Sequence, residues 1–404
     1  MNRADFPLLQ TLHNGRPLIY LDSASTSQKP RGVFDAMQHF YMHDNANVHR
    51  GIYPLAEHAT TLYEQARATV AQFIGAQPNT VVFTRGTTES INMVAAAWAL
   101  HTLKPGDEII VPQAEHHANI LPWQQLERLC GITLLYAPVL SDGSLDYDVF
   151  AALMSRRTKL IAVSHVSHVT GVQYDIARLV TYAQAVGARV LLDAAQSVPH
   201  QHIDVTQLKV DFCAFSAHKM LGPTGIGALY IKPELHALFK PYQTGGGMVH
   251  SVDWHSARFL SIPHLLEAGT PPIAQAIGFA AACDYLRTQV DMQELRAHEA
   301  NLCSLFIDGL ATIKGTHVIG PVEQLKKHGH LVTFTLAGMH AHDIAHALSL
   351  ENICVRAGHH CAQPLAQRLG LDASVRASFY GYTTEQEVAR CIEVIEQMAK
   401  HAHF

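Results

Sequence analysis

Charge is scarce in this chain. Asp, Glu, Lys and Arg make up 16% of its 404 residues, against about 25% in an ordinary globular protein. The net charge of −5 removes the electrostatic case for a nucleic-acid or anionic-membrane partner, since both select a basic face. Long apolar runs are missing as well. The longest, Ile91 to Leu100 and Ile273 to Leu286, are too short or too interrupted by polar residues to span a bilayer. The N-terminal MNRADFPLLQTLHNG carries Asp5 and has no apolar core, so it does not read as a signal peptide. Cysteine pairs of the CxxC kind are absent too. The seven cysteines (Cys130, Cys213, Cys283, Cys303, Cys354, Cys361 and Cys391) are odd in number and scattered, which predicts reduced thiols and a cytoplasmic location. The 48% hydrophobic content excludes disorder, because it supplies enough apolar surface to offset chain entropy.

What the chain does have is an alternation of strands and helices. At roughly 150 residues per domain its length allows two or three compact units. Short β-rich runs fall at 80–84, 108–112, 132–138, 159–164, 190–193, 212–216 and 228–232, and stretches with helical spacing at 89–100, 119–130, 147–154 and 176–186. Continuous apolar strands between amphipathic helices predict an α/β fold: a mainly parallel, seven-stranded sheet covered on both faces. Ligands of such folds collect beyond the carboxyl ends of the strands. The polar chemistry clusters there, at Arg85-Gly86-Thr87-Thr88, Glu115-His116-His117, Asp193 with Gln196, and Ser216-Ala217-His218-Lys219. After Gly245-Gly246-Gly247, a glycine run that reads as a loop, the pattern changes. Beyond Pro271-Pro272 come two helical stretches, strands at 331–336 and 353–356, and a last helix over about 384–400. The expected division is a large domain over 20–262 and a smaller α+β domain made of 1–19 and 263–404.

The strongest chemical signal is Asp193-Ala194-Ala195-Gln196 followed by Ser216-Ala217-His218-Lys219, each group ending a predicted strand of one sheet. A lysine buried among small residues (Ala217, Gly222, Gly225) loses its proton readily and forms an imine with an aldehyde cofactor. A neighbouring carboxylate keeps a pyridine nitrogen protonated and makes the ring an electron sink, as pyridoxal phosphate requires. Gln196 is placed to hydrogen-bond such a cofactor's phenolic oxygen. Gly86-Thr87-Thr88, ahead of a helix, offers backbone amides and hydroxyls to a phosphate, and Ser216 and His218 complete that set. Taken singly, each piece is ordinary: a strand-end Asp is a cap, Lys219 a solvated lysine, Gly-Thr-Thr-Glu a good helix start. It is their joint placement at corresponding strand ends that carries the reading.

These residues sit in segments that resemble the class V, fold-type I pyridoxal phosphate enzymes, and within them the group II cysteine desulfurases of the SufS/CsdA type. The matching segments are TRGTTESIN (84–92), EHHANILPWQ (115–124), DAAQSVPH (193–200), FSAHKMLGPTGIGALY (215–230), GGGMV (245–249), EAGTPP (267–272), RAGHHCAQPL (356–365) and RASFYGY (376–382). With YLDSAS at 20–25 they cover nearly the whole chain. The resemblance implies pyridoxal phosphate as cofactor, held in the large domain. It implies that Lys219 binds the cofactor covalently and later moves the Cα proton, and that Asp193 pairs with the ring nitrogen and Gln196 with the phenolate. His116 is implied to stack over the ring and assist proton transfers. Thr88, Ser216 and His218, with Thr87 adjacent, are implied phosphate ligands, and Thr270 reaches the phosphate of a neighbouring subunit, so a homodimer is expected. Arg376 grips the substrate carboxylate, for which its planar fork is suited.

Cys361, in the small domain, is the residue on which the function turns. In the family this cysteine takes sulfur from L-cysteine as a persulfide, leaving alanine, and passes it to an acceptor protein of the SufE/CsdE kind. Selenocysteine and cysteine sulfinate are further expected substrates. Neighbouring Arg and His favour the thiolate, the reactive form. The other six cysteines read as core. The 28 histidines raise a metal hypothesis, with His342 and His346 spaced i, i+4 and His359-His360-Cys361 in a row. Neither set has the spacing of a structural zinc site, and no metal is expected. One departure stands out: His168 occupies the place of an asparagine that lies beside the cofactor and substrate in the family. Thr383 likewise replaces a common asparagine at a helix start. Two other readings remain open, a different class V activity that does not need Cys361, and a catalytically reduced sulfur-relay partner.

Overall fold

The computed structural model describes residues 1–400. Its centre is a seven-stranded sheet: β1 (Val81–Thr84), β2 (Glu108–Pro112), β3 (Thr133–Ala137), β4 (Thr158–Ser164), β5 (Arg189–Asp193), β6 (Phe212–Ser216) and β7 (Gly227–Ile231). The spatial order is β1-β7-β6-β5-β4-β2-β3. Every pair is parallel except those made by β7, which runs antiparallel to β1 and to β6. Alternation explains why both faces are covered. Val81, Phe83, Ile110, Ile161, Val163, Val190, Leu192, Cys213 and Phe215 enter one apolar cluster, and Val82, Ile109, Val111, Leu160, Leu191, Phe212 and Ala214 the other. A strand buried on both sides has no polar period, and these read as near-continuous apolar runs.

The predicted strands fall within a residue or two of the observed ones. The helix expected from Glu89 begins at Thr87, running as α1 (Thr87–Met93) into a π segment (Val94–Ala99). The 119–130 stretch is a 3-10 turn (His117–Asn119) followed by α2 (Leu121–Cys130), whose start is set by Pro122. The loop read at Gly245–Gly247 is a turn, but it leads into an unforeseen hairpin, β8 (Val249–Val252) and β9 (Ala257–Phe259).

The second sheet has four antiparallel strands, β10 (Thr316–Ile319), β11 (Leu331–Leu336), β12 (Arg356–Gly358) and β13 (Ser374–Ser378), in the order β10-β11-β13-β12. The strand expected at 353–356 is split: Ile353–Cys354 pairs in parallel with Ile19–Tyr20, and only Arg356 onward joins this sheet. Helix α3 (Met292–Ala311) and the capping-box helix α4 (Glu385–Ala399) cover it, burying Leu302, Phe306, Phe334, Val388 and Ile395 in a third cluster. Helix Ile273–Gln289, which the sequence reading gives to the small domain, packs instead against Arg31–His39 and Pro54–Phe73. Its Phe279, Ala282 and Leu286 lie in the first cluster of the large unit. Phe6 and Leu9 of the N-terminal segment join the same cluster. Helical spacing shows which face a helix buries and leaves open which unit it is buried against.

Candidate active site

The carboxyl ends of β1, β4, β5 and β6, the segment after β2 and the middle of β13 meet around a half-open cavity of about 780 Å³, including the solvent at its mouth. Thr87, Thr88, His116, His168, Asp193, Gln196, Ser216, His218, Lys219 and Arg376 all line it. Ten of the twelve residues singled out from the sequence thus share one cavity. Cys361 and Thr270 do not.

On the floor, Asp193 accepts from the Ala195 backbone N–H at 3.0 Å. Burial pushes its carboxyl up, opposed by that N–H and by the positive charge of Lys219. Lys219 follows β6 in a short 3-10 turn (Ala217–Lys219). Burial pulls its amine down to about 8, against the attraction of Asp193, so about a tenth is uncharged at pH 7, far more than for an ordinary lysine. At one end of the cavity, Thr87 opens α1. Its backbone N–H donates to Ser216 Oγ at 2.8 Å, and the two hydroxyls are 2.7 Å apart. Gly86, just before it, has φ 151°, a conformation open essentially to glycine. Gly227 packs so closely that a Cβ there would lie 2.6 Å from Gly86 Cα.

The other wall is built of histidine and arginine. His116 Nδ1 accepts from the Ala118 backbone N–H at 3.0 Å, so the neutral ring carries its hydrogen on Nε2. Burial, reinforced by Lys219, holds its pKa down to about 3. His168 stands edge-on to it, ring centroids 4.8 Å apart, fully buried and kept neutral by that burial. Its Nε2–H donates to the His360 carbonyl at 2.8 Å. Arg376 donates to the His168 carbonyl at 2.7 Å and to Ser25 Oγ at 2.9 Å, while its Nε is buried without a partner. Burial lowers its pKa to about 10, which leaves it cationic at neutral pH.

Cys361 lies beside this wall on a half-buried loop. His360 and Cys361 both have left-handed backbones, φ 54° and 61°, costing on the order of 1–3 kcal/mol each. The loop is tied to the turn after His116: the His117 N–H donates to the Cys361 carbonyl at 2.9 Å, and the Gln363 N–H to His117 Nε2 at 3.1 Å. Arg356, which lines the cavity, places Nη2 3.5 Å from Cys361 Sγ.

The family profile "Aminotransferase class-V" matches residues 19–391. "Probable cysteine desulfurase 2" of Mycobacterium leprae (strain TN) is 44% identical over 396 residues, 96% of this chain and 94% of its own. "Probable cysteine desulfurase" of Mycolicibacterium paratuberculosis is also 44% identical, over 98% of this chain and 58% of that longer protein. Among solved structures, the cysteine desulfurase CsdA of Escherichia coli superposes with a TM-score of 0.91 at 40% identity, covering 99% of this chain and 98% of that one. The apo cysteine desulfurase of Thermococcus onnurineus NA1 gives 0.93 at 39%, covering 99% and 97%. The chain belongs to the class-V aminotransferase family, in its cysteine desulfurase branch. C-DES, with glycine covalently linked to its PLP cofactor, shares the fold at 23% identity and a TM-score of 0.84.

The cofactor of this family member is pyridoxal phosphate, and the cavity fits it. Lys219 is an amine without a hydrogen-bond partner among the described residues, placed next to the carboxylate of Asp193. The glycine-preceded start of α1 with its paired hydroxyls is an anion cradle. A neutral imidazole faces the same space.

Several functional partners escaped the sequence reading. Ser25 receives hydrogen bonds from both Arg356 (3.0 Å) and Arg376. Glu115, raised to about 7 by burial, accepts from the Ser164 backbone at 2.7 Å and from Asn119 at 2.8 Å, fixing the turn that presents His116. Both lie in quoted motifs, but the contacts join strands that are distant in sequence. Cys130 and Cys354, expected in the core, are half-buried, whereas Cys213, Cys283, Cys303 and Cys391 are buried. The metal-like cluster among the described residues is His49, Glu64 and His264, not the sets weighed from the sequence, and Arg67 already holds Glu64 at 2.9 Å. No helix of the described chain is long and apolar enough to cross a membrane.

Proposed function

We propose that this protein removes the sulfur of L-cysteine, releases L-alanine, and retains the sulfur as a persulfide on Cys361. The observation that carries the reading is that one cavity collects Lys219, Asp193, His116 and Arg376 while Arg356 reaches from its lining to the Cys361 thiol. Pyridoxal phosphate, when bound, supplies an aldehyde that condenses with amines and a ring that withdraws electrons from the substrate's Cα. Asp193 is the partner for the ring nitrogen, Gln196 for the phenolic oxygen, and Thr87, Thr88, Ser216 and His218 for the phosphate. Lys219 holds the cofactor and, with a pKa near neutrality, takes and returns the Cα proton. Neutral His116 offers its Nε2–H over the same space. Arg376 receives the substrate carboxylate. The Cys361 thiolate bonds to the substrate sulfur as the carbon–sulfur bond breaks; the electron pair goes to the substrate carbon, which is then protonated.

His168 adds a constraint of its own: one side chain links the His116 ring to the carbonyl of His360, the neighbour of the thiol. Thr270 belongs to a second cavity with Arg85 and Pro271, which supports a role toward a neighbouring subunit rather than its own site. Trp254 and Ile52 are 97% and 93% exposed, apolar surface that a homodimer would cover. Sulfur would pass to a SufE/CsdE-like acceptor in the cytoplasm, and selenocysteine and cysteine sulfinate are further substrates of this reading. The experiment is turnover with L-cysteine, measuring alanine and sulfide. Cys361→Ser is expected to keep the coloured cofactor and lose both products; undiminished turnover assigns the chain to another class V activity. Full cofactor loading without turnover, even with an acceptor and a reductant, favours the relay partner.

A further inference from the structure

Behind Gln196, outside the cavity, runs a chain of buried polar side chains that the sulfur chemistry leaves unused. Gln196 Nε2 donates to the Ala24 carbonyl at 2.8 Å. A carbonyl only accepts, so this contact fixes which end of the amide is nitrogen. Oε1 then faces His330 Nε2 at 3.3 Å, and that ring nitrogen must carry the hydrogen. His330 lies flat against His200, with ring centroids 3.8 Å apart and planes 16° apart. His200 Nδ1 in turn meets Glu299 Oε1 at 2.9 Å. The four residues are 4%, 3%, 6% and 1% exposed, in the order Gln196, His330, His200, Glu299. Gln196 and His200 follow β5, His330 precedes β11 and Glu299 lies on α3, so the chain of contacts crosses between the two units.

Burial keeps both imidazoles neutral. His200, Arg376, Arg296 and Lys219 all disfavour a charge on His330, and Lys219 does so on His200. Burial also pushes the Glu299 carboxyl well up, against the pull of His298 and Arg296, so the group beside His200 Nδ1 resists ionising there. Two neutral rings stack at this distance without the repulsion that two cations would feel.

We propose that His330, backed by His200 and Glu299, is a positioning residue that locks the Gln196 amide so that its second N–H faces the cavity, toward the cofactor's phenolic oxygen. A flipped amide would set N–H against N–H at His330 and oxygen against oxygen at Ala24, losing both bonds. This inference rests on the cofactor reading above and names what orients one of its groups.

The test is a pH titration of the holoenzyme's visible absorption band. A donor on the phenolic oxygen draws off negative charge and loosens the neighbouring proton, so the midpoint lies lower with the donor than without it. His330→Leu is expected to raise the midpoint by about one pH unit. Gln196→Ala should raise it as much, and the double variant no further. His330→Gln, whose amide N–H reaches the same oxygen, should bring it most of the way back. His330→Asn, polar but too short to reach, replaces the leucine variant if that one does not fold. A midpoint unchanged in His330→Leu or His330→Asn, while Gln196→Ala shifts it, overturns the inference and leaves the desulfurase reading standing. A wild-type protein that forms no visible band on loading overturns both.

Discussion

In the reading proposed above, Lys219 and Cys361 are the two reactive side chains, and the chain holds them in opposite ways. Lys219 stands at the end of β6, an inner strand whose neighbours on both sides are fully hydrogen-bonded and whose residues are all buried. Cys361 stands on a loop with two left-handed residues, fastened to His117 by one backbone hydrogen bond and one to its ring, with one contact from Arg356. On that reading the amine must keep a fixed position relative to Asp193, and a short turn directly after an inner strand provides that. The thiol must meet a substrate sulfur, and a loop held by bonds worth about 1 kcal/mol each keeps it near without fixing it in the wall.

Lys219→Ala breaks the rigid side outright: the visible band should vanish and turnover fall by about 10³-fold or more, read by spectrum and alanine release. Arg376→Lys keeps the charge but loses the fork anchored to Ser25 and the His168 carbonyl. It should lower kcat/KM by about 10²-fold, mostly through KM, in steady-state assays with L-cysteine.

Acid sharpens the comparison from another direction. His116, His200 and His360 are held down to about 3 by burial, and His168 and His330 lie well below the usual value. Between about 3 and 6.5 the unfolded chain binds protons that the folded chain refuses, so stability rises with pH across that window. Each ring should cost about 1–2 kcal/mol on going from pH 7 to pH 5. Glu115 works the other way, since its raised value makes stability fall as pH rises toward about 7, and it offsets one ring; Glu299, also pushed up by burial, acts in the same direction. Urea unfolding at the two pH values checks the sum.

Much of this was legible in the residues, and for a physical reason. Doubly buried strands leave continuous apolar runs, so β1 to β7 and the polar groups at their ends could be located. The β8–β9 hairpin could not, because its residues are mostly exposed and leave no burial period. The same limit hid the partners of Arg376: Ser25 and the His168 carbonyl come to it from positions far apart in sequence, and no local pattern encodes that meeting. The unit against which the Ile273–Gln289 helix packs is hidden for the same reason. The smallest expected effect concerns such a contact. His117→Ala removes the acceptor for the Gln363 N–H and should slow sulfur transfer to Cys361 about fivefold, with the visible band unchanged, in rapid-mixing measurements.

The most direct test of the central claim is the mass of the Cys361 peptide after a single turnover with L-cysteine and no reductant. A gain of one sulfur atom on that peptide, matched by one alanine released per site, is the predicted result. Alanine released with the Cys361 peptide unmodified and all sulfur free in solution would contradict it.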